Sequence, residues 1–143
     1  MSTFVIQNIT RWTEYNEYEG QMEGTFDQHP VTVYVQVYNE PDWDKYTPGD
    51  TIAARLWLER GGDVEQTDDP LTPELRQQEG IHYQAAGRVL AIKGEQVWLD
   101  SGFPLRVDMD WPARGREQFP KFTVGDWLKV NGVLRLELDD EEE

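Results

Sequence analysis

Cysteine is absent from this 143-residue chain, which excludes disulfides, thiolate metal sites and cysteine nucleophiles. Only His29 and His82 are available, so a histidine-rich zinc site is excluded, and any nucleophile–histidine pair needs one of these two. His29 precedes Pro30 and His82 sits beside Ile81 and Tyr83; each reads as an ordinary residue at a strand entry. The chain has no Gly-rich phosphate loop, no GxSxG elbow and no HExxH motif. Catalytic residues, a metal site and a cofactor are therefore not expected, and the protein reads as a non-enzyme. Long apolar runs are also missing. The start, Met1 to Gln7, lacks a basic region followed by an apolar one, and no stretch approaches roughly 18 apolar residues. Neither an export signal nor a membrane span is expected, which makes the cytoplasm the default location.

Positive charge is scarce. Twenty-eight acids face 13 bases, for a net charge of −15. Residues 1–60 carry 10 acids and 4 bases, and residues 61–80 carry 6 acids and 1 base. Residues 81–143 hold 12 acids and 8 bases, but five of those acids form the terminal run Asp139 to Glu143. Acidity therefore gathers on the first half, the connector and the tail. Such a surface repels phosphate backbones and attracts basic partners; its plainest role is solubility.

What is abundant is alternation of the period-two kind. Val31, Val33, Val35 and Val37 alternate with Thr32, Tyr34, Gln36 and Tyr38, which places one apolar face on a strand. The block Pro30 to Val37 is echoed 74 positions later by Pro104 to Trp111, and Lys45 to Ile52 is echoed 76 positions later by Lys121 to Leu128. Two blocks in the same order at nearly equal spacing point to a duplicated β unit. Further strands are expected over 4–12, 18–26, 51–59, 83–92, 96–100 and 127–138, with a hairpin loop at Lys93-Gly94-Glu95. Asn131-Gly132 carries a turn or bulge signal, and a true turn there would make Val133 to Leu138 a separate strand. Thr72 as a cap, Pro73 at the first helical position and Gly80 at the end predict one short helix. The five terminal acids predict disorder, since like charges repel and nothing apolar anchors them.

The expected organisation is mainly β. A first β unit covers 1–60, an acidic connector with the helix 61–80, a second β unit 81–138 and an acidic tail 139–143. A chain this long buries roughly 70% of its unfolded surface, whereas half that length is marginal alone. The two small antiparallel barrel-like units are therefore expected to pack together. In each half a meander leads through a loop to a final strand launched from Gly-Asp, at Gly49-Asp50 and Gly125-Asp126. That order resembles an OB-fold or an SH3-like small barrel. A single eight- to ten-stranded barrel or sandwich is the other arrangement open to these strands.

Candidate contact residues follow from aromatics set among acids. Tyr34 and Tyr38 lie opposite the valines, and Trp43 follows in a loop with Glu40, Asp42 and Asp44. Packing between the halves accounts for these aromatics most simply. As a surface, they suit a basic protein partner, with arginine the natural counter-residue. A second cluster, Trp111, Arg114, Arg116 and Lys121, could stack bases and contact phosphates; Phe119 and Phe122 beside it equally suit a plug for a barrel end. The pairs Asp42/Asp44 and Asp108/Asp110 could bind a divalent cation or act as a paired acid and base, but in so acidic a chain they suit a solvated face. Asp50 and Asp126 are better placed to accept backbone N–H groups within their turns. The leading expectation is a small acidic protein that binds a basic partner, of the inhibitor or immunity type. An OB-like accessory module in nucleic-acid metabolism is the alternative, which the net charge opposes.

Overall fold

A computed structural model of the chain describes residues 2–12, 18–37, 43–109 and 122–138. The chain is mainly β. In order, its strands are β1 (Thr3–Arg11), β2 (Glu19–Phe26), β3 (His29–Gln36), β4 (Thr51–Thr67), β5 (Glu74–Glu79), β6 (His82–Lys93), β7 (Gln96–Asp100), β8 (Pro104–Asp108) and β9 (Trp127–Leu138), with one 3-10 turn at Trp43–Lys45. Among the described residues no helix is long and apolar enough to cross a membrane.

The chain forms two compact units, Met1–Leu56 with Leu134–Glu143, and Trp57–Val133. The divisions fall inside β4 and β9, so both units draw on both of these long strands. The contiguous segments 1–60, 61–80 and 81–138 marked from the sequence follow a different division, because β4 runs on through Gly61 to Thr67.

In unit 1, β1, β2 and β3 form an antiparallel meander, with Val5 opposite Thr25 and Met22 opposite Val33. Asp27 and Gln28 both adopt positive φ between β2 and β3, as a two-residue hairpin turn matched to strand twist requires. β3 then pairs in parallel with the end of β9, and β1 pairs antiparallel with the start of β4. β9 and β4 are neighbours, and Arg55 meets Glu137 across them at 3.5 Å. The pairings thus return to β1. The valines Val31, Val33, Val35 and Val37 are buried, together with Phe4 and Met22.

In unit 2, β6, β7 and β8 form the meander, with Val97 opposite Val107. β8 pairs in parallel with β4 from Trp57 to Glu59, and β6 pairs antiparallel with β9 from His82 to Arg88. A Cβ on Gly132 of β9 would overlap the Glu59 carbonyl oxygen of β4. Asn131-Gly132 is therefore a close backbone crossing inside one continuous strand, and the turn signal there is overruled. Leu105, Val107 and Met109 are buried, as their alternation requires.

The short helix is replaced by β5. Glu74 to Glu79 pair with Ala86 to His82, and this ladder outweighs a local helix preference that is weak by comparison. Gly80, at φ 58°, meets the same conformational demand in the β5–β6 hairpin that it would have met as a helix cap.

The Gly-Asp turns carry matching hydrogen bonds. Gly49 and Gly125 both have φ 102°. The Thr47 N–H donates to Asp50 Oδ2 at 3.0 Å, and the Thr123 N–H to Asp126 Oδ2 at 2.9 Å. Each turn then docks on a first strand. Gly49 N–H donates to the Ile6 carbonyl and Gly125 N–H to the Val89 carbonyl, while Ile6 and Val89 donate back to Asp50 and Asp126. Both docking points sit where the register of β1 and β6 shifts.

Candidate functional site

On unit 1, strand alternation turns Tyr34 away from the buried valines, but its polar and aromatic surfaces are engaged within the unit. Its hydroxyl donates to Glu19 Oε2 at 2.6 Å. The Arg135 guanidinium lies over its ring at 4.5 Å, and the Trp12 ring is 5.6 Å away. Trp43 is only 3% exposed and packs against Gly20, where a Cβ would come within 2.9 Å of the ring. Its side chain is core, so an exposed anchor role for Trp43 is corrected: the 3-10 turn folds the indole inward and leaves Asp44 and Lys45 outside. Asp44 is exposed. Tyr38, Glu40 and Asp42 lie outside the described residues, as do Asp110 and the whole Trp111, Arg114, Arg116 and Lys121 cluster.

On unit 2 the sheet assembles a face that alternation alone does not reveal. Trp98 of β7 is opposite Arg106 of β8, and Arg106 is opposite Trp57 of β4. The three half-buried side chains form one row across three strands. The Arg106 guanidinium lies 4.6 Å from the Trp57 ring centroid. It also forks onto Asp108, with Nε and Nη2 donating to the two carboxylate oxygens at 2.9 and 3.0 Å. In the next row Gln96, Asp108 and Glu59 are register partners.

A cavity of about 310 Å³ opens on this face, lined by Trp57, Glu59, Lys93, Glu95, Gln96 and Asp108. Lys93 and Glu95 come from the β6–β7 hairpin, whose Gly94 has φ 62°. Three carboxylates and one ammonium give the lining a formal charge of −2. Among the described residues no group of three or more His, Cys, Asp or Glu side chains is placed to hold a metal ion. The chemistry on offer is an aromatic wall beside carboxylates, which suits binding of a cation.

Sequence reasoning missed Trp57 and Trp98. The available signal was their place in the strand pattern, each between two buried aliphatic residues: Leu56 and Leu58 flank Trp57, and Val97 and Leu99 flank Trp98. That pattern turns both indoles outward, yet nothing local says that β4 and β8 lie side by side. Compared with protein-family models, curated proteins and solved structures, the chain matches none of them.

Proposed function

We propose that this is a non-enzymatic binding protein that recognises a basic protein partner, in the manner of an inhibitor or immunity-type protein. The charge distribution carries this reading. Unit 1 holds 15 acids and 4 bases, a net charge of −11, and unit 2 holds 13 acids and 9 bases, a net charge of −4. Three of the four cations of unit 1 already contact their own unit: Arg55 at Glu137, Arg135 over Tyr34 and Lys45 over Tyr46. Exposed carboxylates such as Glu23, Asp27 and Asp44 dominate what an approaching molecule meets. Such a field steers cationic proteins and disfavours phosphate.

The scaffold we propose is a pair of duplicated small barrels of OB type. An OB-fold is a five-stranded, partly open Greek-key barrel. Support comes from the pairings, since each unit has a three-strand meander whose first and third strands are linked through β4 and β9. The matching Gly-Asp turns support it further.

A role in nucleic-acid metabolism is the second reading, favoured by the Trp98–Arg106–Trp57 row, because aromatic faces beside arginine can stack bases. Against it, Arg106 is bound to Asp108 and the adjoining cavity is lined by carboxylates. The test is capture from native lysate on the immobilised protein, alongside fluorescence anisotropy with a short oligothymidylate. A discrete basic protein released by salt, with no oligonucleotide binding, supports the proposal. Oligonucleotide binding at low ionic strength without a basic partner transfers support to the second reading.

A further inference from the structure

We infer that the cavity on unit 2 is the seat for an arginine side chain presented by the partner, an inference that rests on the basic-partner reading. Four observations converge on it. First, about 310 Å³ is at the small end of ligand pockets, which run from roughly 300 to 1,000 Å³. It suits one extended side chain. Second, the lining sets the Trp57 indole beside Glu59, Glu95 and Asp108, with Gln96 as a further hydrogen-bonding group and Lys93 as the one cation. A planar guanidinium stacks on aromatic faces and binds carboxylates through its fork, and it sheds water more readily than an ammonium.

Third, two of these wall residues already hold a guanidinium within the fold. Trp57 lies 4.6 Å under Arg106, and Asp108 receives it through two hydrogen bonds. The same recognition chemistry therefore operates at the cavity rim, and because Arg106 occupies the Asp108 fork, an incoming guanidinium is received by Glu59 and Glu95. Fourth, Lys93 and Glu95 are exposed on a hairpin, so the rim is open to a partner's side chain. With Arg106 paired to Asp108, the lining and that pair together carry a formal charge of −1, which sets the cavity against nucleotides and other phosphates.

The experiment is a titration of the full chain, followed by backbone and indole NMR shifts. The probes are Nα-acetyl-arginine amide, its neutral isostere Nα-acetyl-citrulline amide, and thymidine monophosphate. The arginine probe is expected to produce saturable shifts at Trp57, Glu59, Glu95 and Gln96, with citrulline at least about tenfold weaker. Glu59→Gln and Glu95→Gln are each expected to weaken the arginine probe about fivefold while leaving the spectrum otherwise folded. Glu95 is exposed, so its variant separates lost binding from lost folding.

Equal shifts from citrulline, stronger binding of thymidine monophosphate, or arginine shifts confined to other residues would overturn the assignment. If the arginine probe fails here while a basic protein is still captured, the pocket is wrong and the basic-partner reading stands. Capture of no basic protein together with a clean arginine response keeps the pocket and removes that partner class.

Discussion

Arg106 lies over the indole of Trp57, 4.6 Å from the ring centroid, and the two residues are direct register partners on the parallel strands β8 and β4. Unit 1 has the same relationship at Arg135 and Tyr34, 4.5 Å apart and in register on the parallel strands β9 and β3. The roles are exchanged: the aromatic residue is on the meander strand in unit 1, and the arginine is on it in unit 2. In a parallel pair, neighbouring side chains lie side by side on one face. A long cation can then cover the ring next to it, and its apolar stem shields the seam.

Arg106 should therefore matter to stability as well as to the face it builds. Arg106→Ala removes the cation–π contact and leaves Asp108 without its fork, which is expected to cost about 1–3 kcal/mol. A double-mutant cycle with Trp57→Leu, read by denaturant unfolding, should return a coupling of about 0.5–1 kcal/mol. Additive single effects would show that the stacked geometry contributes nothing.

Val35 has no exposed surface and pairs with Gly20 on one side and Leu136 on the other. Val35→Asp buries a carboxylate with no partner, at a cost of several kcal/mol, comparable to the whole stability of a typical domain. Loss of the cooperative thermal transition by circular dichroism is the expected result. A melting temperature like that of the wild type would contradict the register of β3.

The matched turns predict matched penalties. At φ 102°, Gly49 and Gly125 occupy backbone space that a Cβ disfavours. Each is expected to lose about 1–3 kcal/mol on substitution by alanine. No side-chain clash contributes, since a Cβ added at either glycine would have nothing within 4 Å of it. Denaturant midpoints of Gly49→Ala and Gly125→Ala should fall by similar amounts, and a neutral result at either would remove the strain argument there.

Trp43→Ala should act on folding. The ring is 3% exposed, and truncation of a large buried aromatic costs about 3–5 kcal/mol. Any loss of partner binding should then track the fraction unfolded. Tyr34→Phe removes only the hydroxyl bonded to Glu19 and should cost about 0.5–1.5 kcal/mol. If Trp43→Ala melted normally yet lost its partner, a contact role for the indole would be restored.

Charge reversal at the exposed residues Glu23 and Asp44 should leave stability within about 0.5 kcal/mol, as surface positions generally do. Asp44→Lys with Glu23→Lys should slow association with a basic partner and flatten its dependence on salt, because rim charges act mainly on encounter rates. Stopped-flow association measured across ionic strengths provides the check. Unchanged rates would place the contact region away from these carboxylates.

Much of the architecture is legible in local chemistry. Alternation of apolar and polar residues is a period-two property of a short segment, so Val31 to Val37 and Leu105 to Met109 identify their own buried face. Glycine before aspartate marks both turns, because the needed φ and the side-chain cap reside in those few residues. Other features depend on contacts between segments far apart in the chain. Thr72 to Gly80 carries helix signals, yet Glu74 to Glu79 within it is a strand because β6 supplies a ladder for it. Trp43 reads as a loop aromatic, yet it is core because Gly20 leaves room for its ring.

The division of the chain and its candidate site belong to the same non-local class. Gly61 reads as a boundary, but β4 continues past it to Thr67, and a Cβ on Gly61 would lie 3.7 Å from the Gly132 Cα. The row of Trp98, Arg106 and Trp57 exists only after β4 is set in parallel beside β8. Composition and alternation determined that this chain is an acidic β protein with two Gly-Asp turns. Tertiary structure decided which strands became neighbours, and therefore which side chains face a ligand, because strand pairing is settled by burial and backbone hydrogen bonding across the whole sheet.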